Sequence, residues 1–119
     1  MMLDPYNDEV RRRFSTPRFA GIAGGNTARR SGQDVDIEVS AAVADDRLAM
    51  VRFRAYGCPH TIAACDLACE RLEGASADAL VRLDVDELMR TLSVPTEKTG
   101  RILVLEDALR DLNSQLVKP

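Results

Sequence analysis

Three cysteines, Cys58, Cys65 and Cys69, fall within twelve residues of one another, and the only histidine of the chain, His60, stands two positions after the first. The stretch Arg54-Ala55-Tyr56-Gly57-Cys58-Pro59-His60-Thr61-Ile62 reads as a strand that ends in Tyr-Gly and a helix that opens at Pro59. Proline suits the first helical position, which leaves Cys58 as the N-cap. A thiol there meets unpaired backbone N–H groups and the positive end of the helix dipole, and both favour the thiolate, the form that attacks sulfur and binds metal. Cys58 is therefore a candidate sulfur acceptor and a candidate metal ligand. His60 is a candidate second ligand, since imidazole suits iron and zinc; otherwise a lone histidine in a first helical turn is an exposed polar side chain. Cys65 and Cys69 lie four apart on the apolar stripe with Ile62 and Leu72, which reads as a pair of small buried hydrophobes. Cys65 is also a candidate ligand, but it lies ~10 Å from Cys58 along a helix, too far to share one zinc unless the loop folds back.

The elements that must position these residues follow from periodicity. Tyr6, Val10 and Phe14 outline a short amphipathic helix with Asp4 as N-cap and Pro5 in the first turn, ending before Pro17. Residues 21–32 contain four glycines and form a connection with room for an edge strand near Ala28. Val35, Ile37 and Val39 then alternate with Asp34, Asp36, Glu38 and Ser40, and after a turn at Ala44–Arg47 the alternation returns over Leu48–Tyr56. This is an antiparallel hairpin with one wet face. Gly74 closes the helix that starts at Pro59, short helices are expected over Asp78–Leu83 and Asp86–Leu92, and Pro95 breaks the chain. Ile102, Leu105, Leu109, Leu112 and Leu116 mark a long last helix. The fold class is α+β: a small antiparallel sheet, hairpin plus edge strand, covered on one face by helices, in a single domain over residues 1–119.

The 119 residues are 45% hydrophobic and 29% charged, with no tryptophan. Those proportions describe a globular chain with a core of Leu, Val, Ile and Ala. No run is apolar enough to span a bilayer and no signal-peptide pattern opens the chain, so no membrane role and a cytoplasmic location are expected. An odd number of cysteines argues against a disulfide framework. The net charge of −3 gives no reason to expect nucleic acid, but it is unevenly spread. Residues 1–30 carry six arginines against three acids, net +3, leaving −6 for the rest. Arg11 and Arg12 are therefore candidates for docking an acidic partner, against the alternative of solvated arginines on an exposed helix face.

The order of features resembles the NifU/IscU-type scaffolds on which iron–sulfur clusters are assembled, over nearly the whole chain. Tyr6…Val10…Phe14-Ser15-Thr16-Pro17-Arg18-Phe19-Ala20-Gly21 is similar to the family's opening helix and its Asn-Pro-Arg-Asn-x-Gly signature. Phe53-Arg54-Ala55-Tyr56-Gly57-Cys58 with Ile62-Ala63 resembles its Tyr-Gly-Cys-Gly-x-x-Ile-Ala segment. Val94-Pro95-Thr96-Glu97-Lys98 stands where the family has Leu-Pro-Pro-Val-Lys, and Leu105-Glu106-Asp107-Ala108-Leu109 where its last helix begins. The resemblance implies a carrier rather than an enzyme, an iron–sulfur cluster or iron as cargo (zinc being the other metal such donors accept), a cysteine desulfurase as partner, and an Hsp70-type chaperone gripping the segment of Pro95 and Lys98. The departures fall on the ligands. Ser31-Gly32-Gln33 replaces the family's Cys-Gly-Asp and Gly100-Arg101 its His-Cys, so Cys58 alone is kept, with Asp34 as a substitute for the missing aspartate.

Three functions are compatible with that pattern. The first is a divergent scaffold that binds metal or carries persulfide sulfur through Cys58. The second is a paralogue that binds no cluster and regulates a desulfurase. The third is a thiol redox protein using Cys58-Pro59-His60, although Thr61 occupies the place of a resolving cysteine.

Overall fold

The computed structural model describes residues 5–116. Helix α1 (Asp8–Ser15) precedes three strands, β1 (Asn26–Gly32), β2 (Val35–Ala44) and β3 (Arg47–Tyr56). Helix α2 (Pro59–Leu72), two short helices α3 (Ala79–Arg82) and α4 (Val85–Thr91), a 3-10 turn at Thr96–Lys98 and the long helix α5 (Thr99–Leu116) follow. The strands form an antiparallel meander in the order β1-β2-β3. Both connections are two-residue turns whose central residues, Gln33-Asp34 and Asp45-Asp46, have φ between 51° and 63°. That left-handed geometry matches the right-handed twist of the flanking strands.

The alternation along the strands divides the sheet into two faces. Ile37, Val39, Ala41, Val51 and Phe53 point into the core, where α2 and α5 cover them with Ala64, Cys65, Ala68, Ile102, Leu105, Leu109 and Leu112. The other face is polar and crossed by ion pairs, Arg54 to Glu38 directly opposite (2.7 Å) and Arg29 to Asp36 on the diagonal. The free edge of β3 is closed by backbone pairing with two loops. Phe53 donates to the Phe19 carbonyl and accepts from Gly21, while Leu48 donates to Ala75 and accepts from Gly74. The α+β architecture, the edge strand and the long last helix thus stand as expected.

Three local expectations change. Helix α1 begins at Asp8 and is capped by the Asn7 side chain, which accepts from the Val10 N–H at 2.9 Å; Asp4, the expected cap, lies outside the described residues. Asp34 is not a strand residue but the second residue of the β1–β2 turn, because β1 pairs with β2 all the way to Gly32–Val35. Ser40 is buried rather than wet, since its hydroxyl accepts from the Ala23 N–H of the glycine-rich connection folded over that end of the sheet.

Candidate functional site

Cys58 stands where β3 hands over to α2, as the N-cap with Pro59 in the first turn. Gly57 before it sits in a tight place: a Cβ there would lie 3.0 Å from Val35 Cγ1 and 3.1 Å from Thr61 Cβ, so those side chains would have to give way. That close approach brings the first turn of α2 against the start of β2. Cys58 Sγ lies 3.4 Å from Thr61 Oγ1 and is only partly buried. Burial by itself would raise the thiol's pKa. It is overcome by the Thr61 hydroxyl and N–H, the Arg101 guanidinium and the charge of Lys98, which together bring the thiol down to about 7. At neutral pH a large share of Cys58 is therefore thiolate.

Two further segments close on this point. Arg101 belongs to the first turn of α5, and its guanidinium is among the groups that lower the Cys58 pKa. The β1–β2 turn meets the same helix start, where a Cβ on Gly100 would fall 3.1 Å from Gln33 Oε1, and Gly32 faces Val104. The turn after β1, the start of α2 and the start of α5 therefore converge at one end of the domain. Ser31-Gly32-Gln33 and Gly100-Arg101 flank the same end as Cys58.

The remaining candidates are distributed differently. Cys65 and Cys69 lie in the core at 0% and 1% exposure. Burial pushes both thiols above the ordinary cysteine range, so they are packing residues, and Cys65 does not reach out to share a site with Cys58. Asp34 is an exposed turn residue, and the groups acting on Cys58 are Thr61, Arg101 and Lys98. Among the described residues, no three His, Cys, Asp or Glu side chains come together as a metal site requires. Among the described residues one chain therefore offers iron a single partly exposed thiol, and this donor set does not fit a cluster.

His60 departs most from expectation. It is fully buried, not an exposed polar residue of a first turn. Its ring tilts on Tyr6 (centroids 4.8 Å apart, 56° between planes), and its Nδ1 lies 3.0 Å from Lys98 Nζ. Lys98 also lies over the Tyr6 ring, 5.3 Å from its centroid. An ammonium only donates, so Nδ1 accepts and the proton of the neutral ring sits on Nε2. Nε2 is buried with no hydrogen-bond partner. Burial and the neighbouring Lys98 charge hold the imidazole neutral, with its pKa lowered to about 4. The sign of the linkage follows. Between pH 6.5 and about 4 the unfolded chain binds a proton at this residue and the folded chain does not, so the His60 contribution to stability falls as pH is lowered through that window and is constant above it. Because His60 is the only histidine, urea titrations from pH 6.5 to 5 in a Cys58→Ser background, free of the thiol brought to about 7, should show a progressive loss of order 1–2 kcal/mol that His60→Gln abolishes. An unchanged slope in the variant would remove His60 as its cause.

The segment of Pro95 and Lys98 is correspondingly not a fully exposed loop. It forms a 3-10 turn that leaves Thr96 and Glu97 outside while Lys98 is drawn in by His60 and Tyr6. On α1, Arg11 pairs with Asp8 and Arg12 with Glu9, so acids of the same helix answer these exposed arginines. Arg13 points inward instead. Two residues escaped the sequence reading: Arg101, noticed there only as a missing cysteine, and Thr61, an ordinary helix residue until its hydroxyl is seen against the sulfur.

The model of the NifU-like N-terminal domain matches residues 5–113. The chain belongs to that family. It is 28% identical over 113 residues to the iron–sulfur cluster assembly protein IscU of Plasmodium falciparum (isolate 3D7), covering 88% of this chain and 69% of that protein. It is 25% identical over 127 aligned positions to iron sulfur cluster assembly protein 1 of Trachipleistophora hominis, covering 92% and 91%. The same fold recurs in the N-terminal NifU-like protein of Brucella abortus, with a TM-score of 0.72 at 15% identity over 92% of both chains. It recurs again in a protein of Fervidobacterium islandicum AW-1 assigned to iron–sulfur cluster scaffolding for the SUF system, with a TM-score of 0.72 at 12% identity over 92% and 96%. Among the described residues of this family member, no helix is long and apolar enough to cross a membrane.

Proposed function

We propose that this protein serves iron–sulfur cluster assembly as a scaffold-family carrier of sulfur, with Cys58 accepting persulfide sulfur from a cysteine desulfurase. The observation that carries the reading is the Cys58 thiol itself: partly exposed at a helix start, 3.4 Å from the Thr61 hydroxyl and brought to about 7. Family membership supplies the pathway. The step is a thiol exchange without net oxidation. The Cys58 thiolate attacks the outer sulfur of a persulfide on the desulfurase; a new S–S bond forms on Cys58, the old S–S bond breaks, and the desulfurase cysteine leaves as thiolate. The outer sulfur keeps its proton.

No resolving thiol stands within reach, since Cys65 and Cys69 are in the core, so the disulfide-exchange alternative lacks its second half. The regulatory alternative shares the desulfurase and differs in predicting no sulfur on the chain. Incubation with a cysteine desulfurase and cysteine, followed by intact-protein mass spectrometry, separates them. One added sulfur on the wild type, reversible by reductant and absent in Cys58→Ser, is expected. Binding of the desulfurase with no added sulfur would replace the carrier by the regulator.

A further inference from the structure

We infer that Thr61 is a positioning residue of this site: its buried hydroxyl holds the Cys58 sulfur in one side-chain rotamer, aimed for attack on an incoming sulfur. The inference rests on the carrier reading for its purpose and on the contact between the two side chains for its geometry.

Cys58 is the N-cap of α2 and Thr61 the third residue of the helix. These are the two positions whose groups meet across the first turn in a capping box. Here the meeting is between side chains, with Cys58 Sγ 3.4 Å from Thr61 Oγ1. A thiolate only accepts, so towards it the hydroxyl donates. The hydroxyl is itself held. Thr61 is 1% exposed, and a β-branched side chain has few χ1 states open to it in a helix. Its other branch is already placed: a Cβ on Gly57 would fall 3.1 Å from both Thr61 Cβ and Thr61 Cγ2, so the methyl faces that glycine. Rotating the hydroxyl away from the sulfur would also swing the methyl out of this contact. Cys58 is only partly buried and has staggered rotamers to choose from; the bond to Thr61 selects the one that turns Sγ towards the first turn of α2. Exchange at sulfur needs the entering, central and leaving sulfurs nearly in line, so the direction of the attacking atom enters the rate.

Two substitutions separate the hydroxyl from the packing. Thr61→Val keeps the shape and deletes the hydroxyl, while Thr61→Ser keeps the hydroxyl and deletes the methyl. A residue that merely packs makes the serine variant the worse of the two; a positioning residue makes it the valine. The full chain is used throughout, with circular dichroism melts showing that each variant is folded. The Hα–Hβ couplings of Cys58, measured by NMR, report its rotamer directly. Wild type and Thr61→Ser should show one dominant rotamer, and Thr61→Val an average over several. Single-turnover transfer from a persulfide-loaded cysteine desulfurase is then followed at about pH 9.5, where an ordinary thiol is already mostly ionised and rates compare direction rather than protonation. Thr61→Val should be about tenfold slower than wild type at saturating desulfurase with an unchanged half-saturation point, and Thr61→Ser within about threefold. An averaged rotamer in wild type, a single rotamer with the wild-type rate in Thr61→Val, or a serine variant as impaired as the valine one would each overturn the inference. Couplings as expected with no sulfur transferred to wild type would leave Thr61 as the residue that positions Cys58 and remove the carrier reading instead.

Discussion

Asp66→Ala should cost about 3–5 kcal/mol, enough to lower the thermal midpoint by roughly 10–25 °C or to leave the chain unfolded. The reason lies in a buried ion pair between α1 and α2. Arg13 is 2% exposed, and its guanidinium reaches Asp66 at 2.7 Å, Glu9 at 2.8 Å and Glu70 at 3.0 Å. Asp66 is 1% exposed and uses both oxygens, since the second accepts from the Phe19 N–H at 2.8 Å. Deleting the carboxylate takes from the buried Arg13 its one buried carboxylate partner, leaving it the half-exposed Glu9 and Glu70, and leaves the buried Phe19 N–H without its acceptor. The consequence also travels to the sheet, because Phe19 and Gly21 close the edge of β3 by pairing with Phe53. Asp66→Leu combined with Arg13→Met removes both charges and should recover part of the loss, the Phe19 N–H still lacking its acceptor. Urea titration of the two variants checks this, and equal stability of Asp66→Ala and wild type would show the network to be dispensable.

The second large effect is a gain. If the departures at Ser31 and Arg101 are what bar iron, then Ser31→Cys with Arg101→Cys should supply two soft thiolates beside Cys58 and remove a cation in the same step. Reconstitution with ferrous iron and sulfide under anaerobic conditions should give a visible-region chromophore and at least an order of magnitude more bound iron than wild type. The convergence of the β1–β2 turn with the α5 start, seen in the Gln33–Gly100 contact, is what makes the three positions eligible. Adding Cys58→Ser to the double variant should abolish the gain. A colourless double variant that is folded would mean that these positions do not face one another.

Much of this molecule is legible in its sequence, and the illegible parts have physical reasons. The alternation of Val35, Ile37 and Val39 and the stripe from Ile102 to Leu112 report burial directly, so the sheet face and the last helix follow from them. The N-cap position of Cys58 follows from Pro59 and Gly57 through local sterics. What periodicity does not encode is long-range pairing between polar groups. Arg13 reads as one of three surface arginines until Asp66, fifty-three residues away, comes to meet it. His60 reads as exposed because its shelter is built by Tyr6 and Lys98 from two distant segments. Arg101 is a further case, since sequence registers it as a loss and the folded chain sets it among the groups that lower the Cys58 pKa.

The central claim is that Cys58 holds sulfur without iron. The most direct measurement supplies both at once: wild type with a cysteine desulfurase, cysteine and ferrous iron under anaerobic conditions, then sulfane sulfur and iron determined on the same desalted sample. The expected result is one sulfane sulfur per chain on Cys58, no stoichiometric iron and no visible-region absorbance. A coloured product in which iron accompanies acid-labile sulfide, lost with Cys58→Ser, would contradict it.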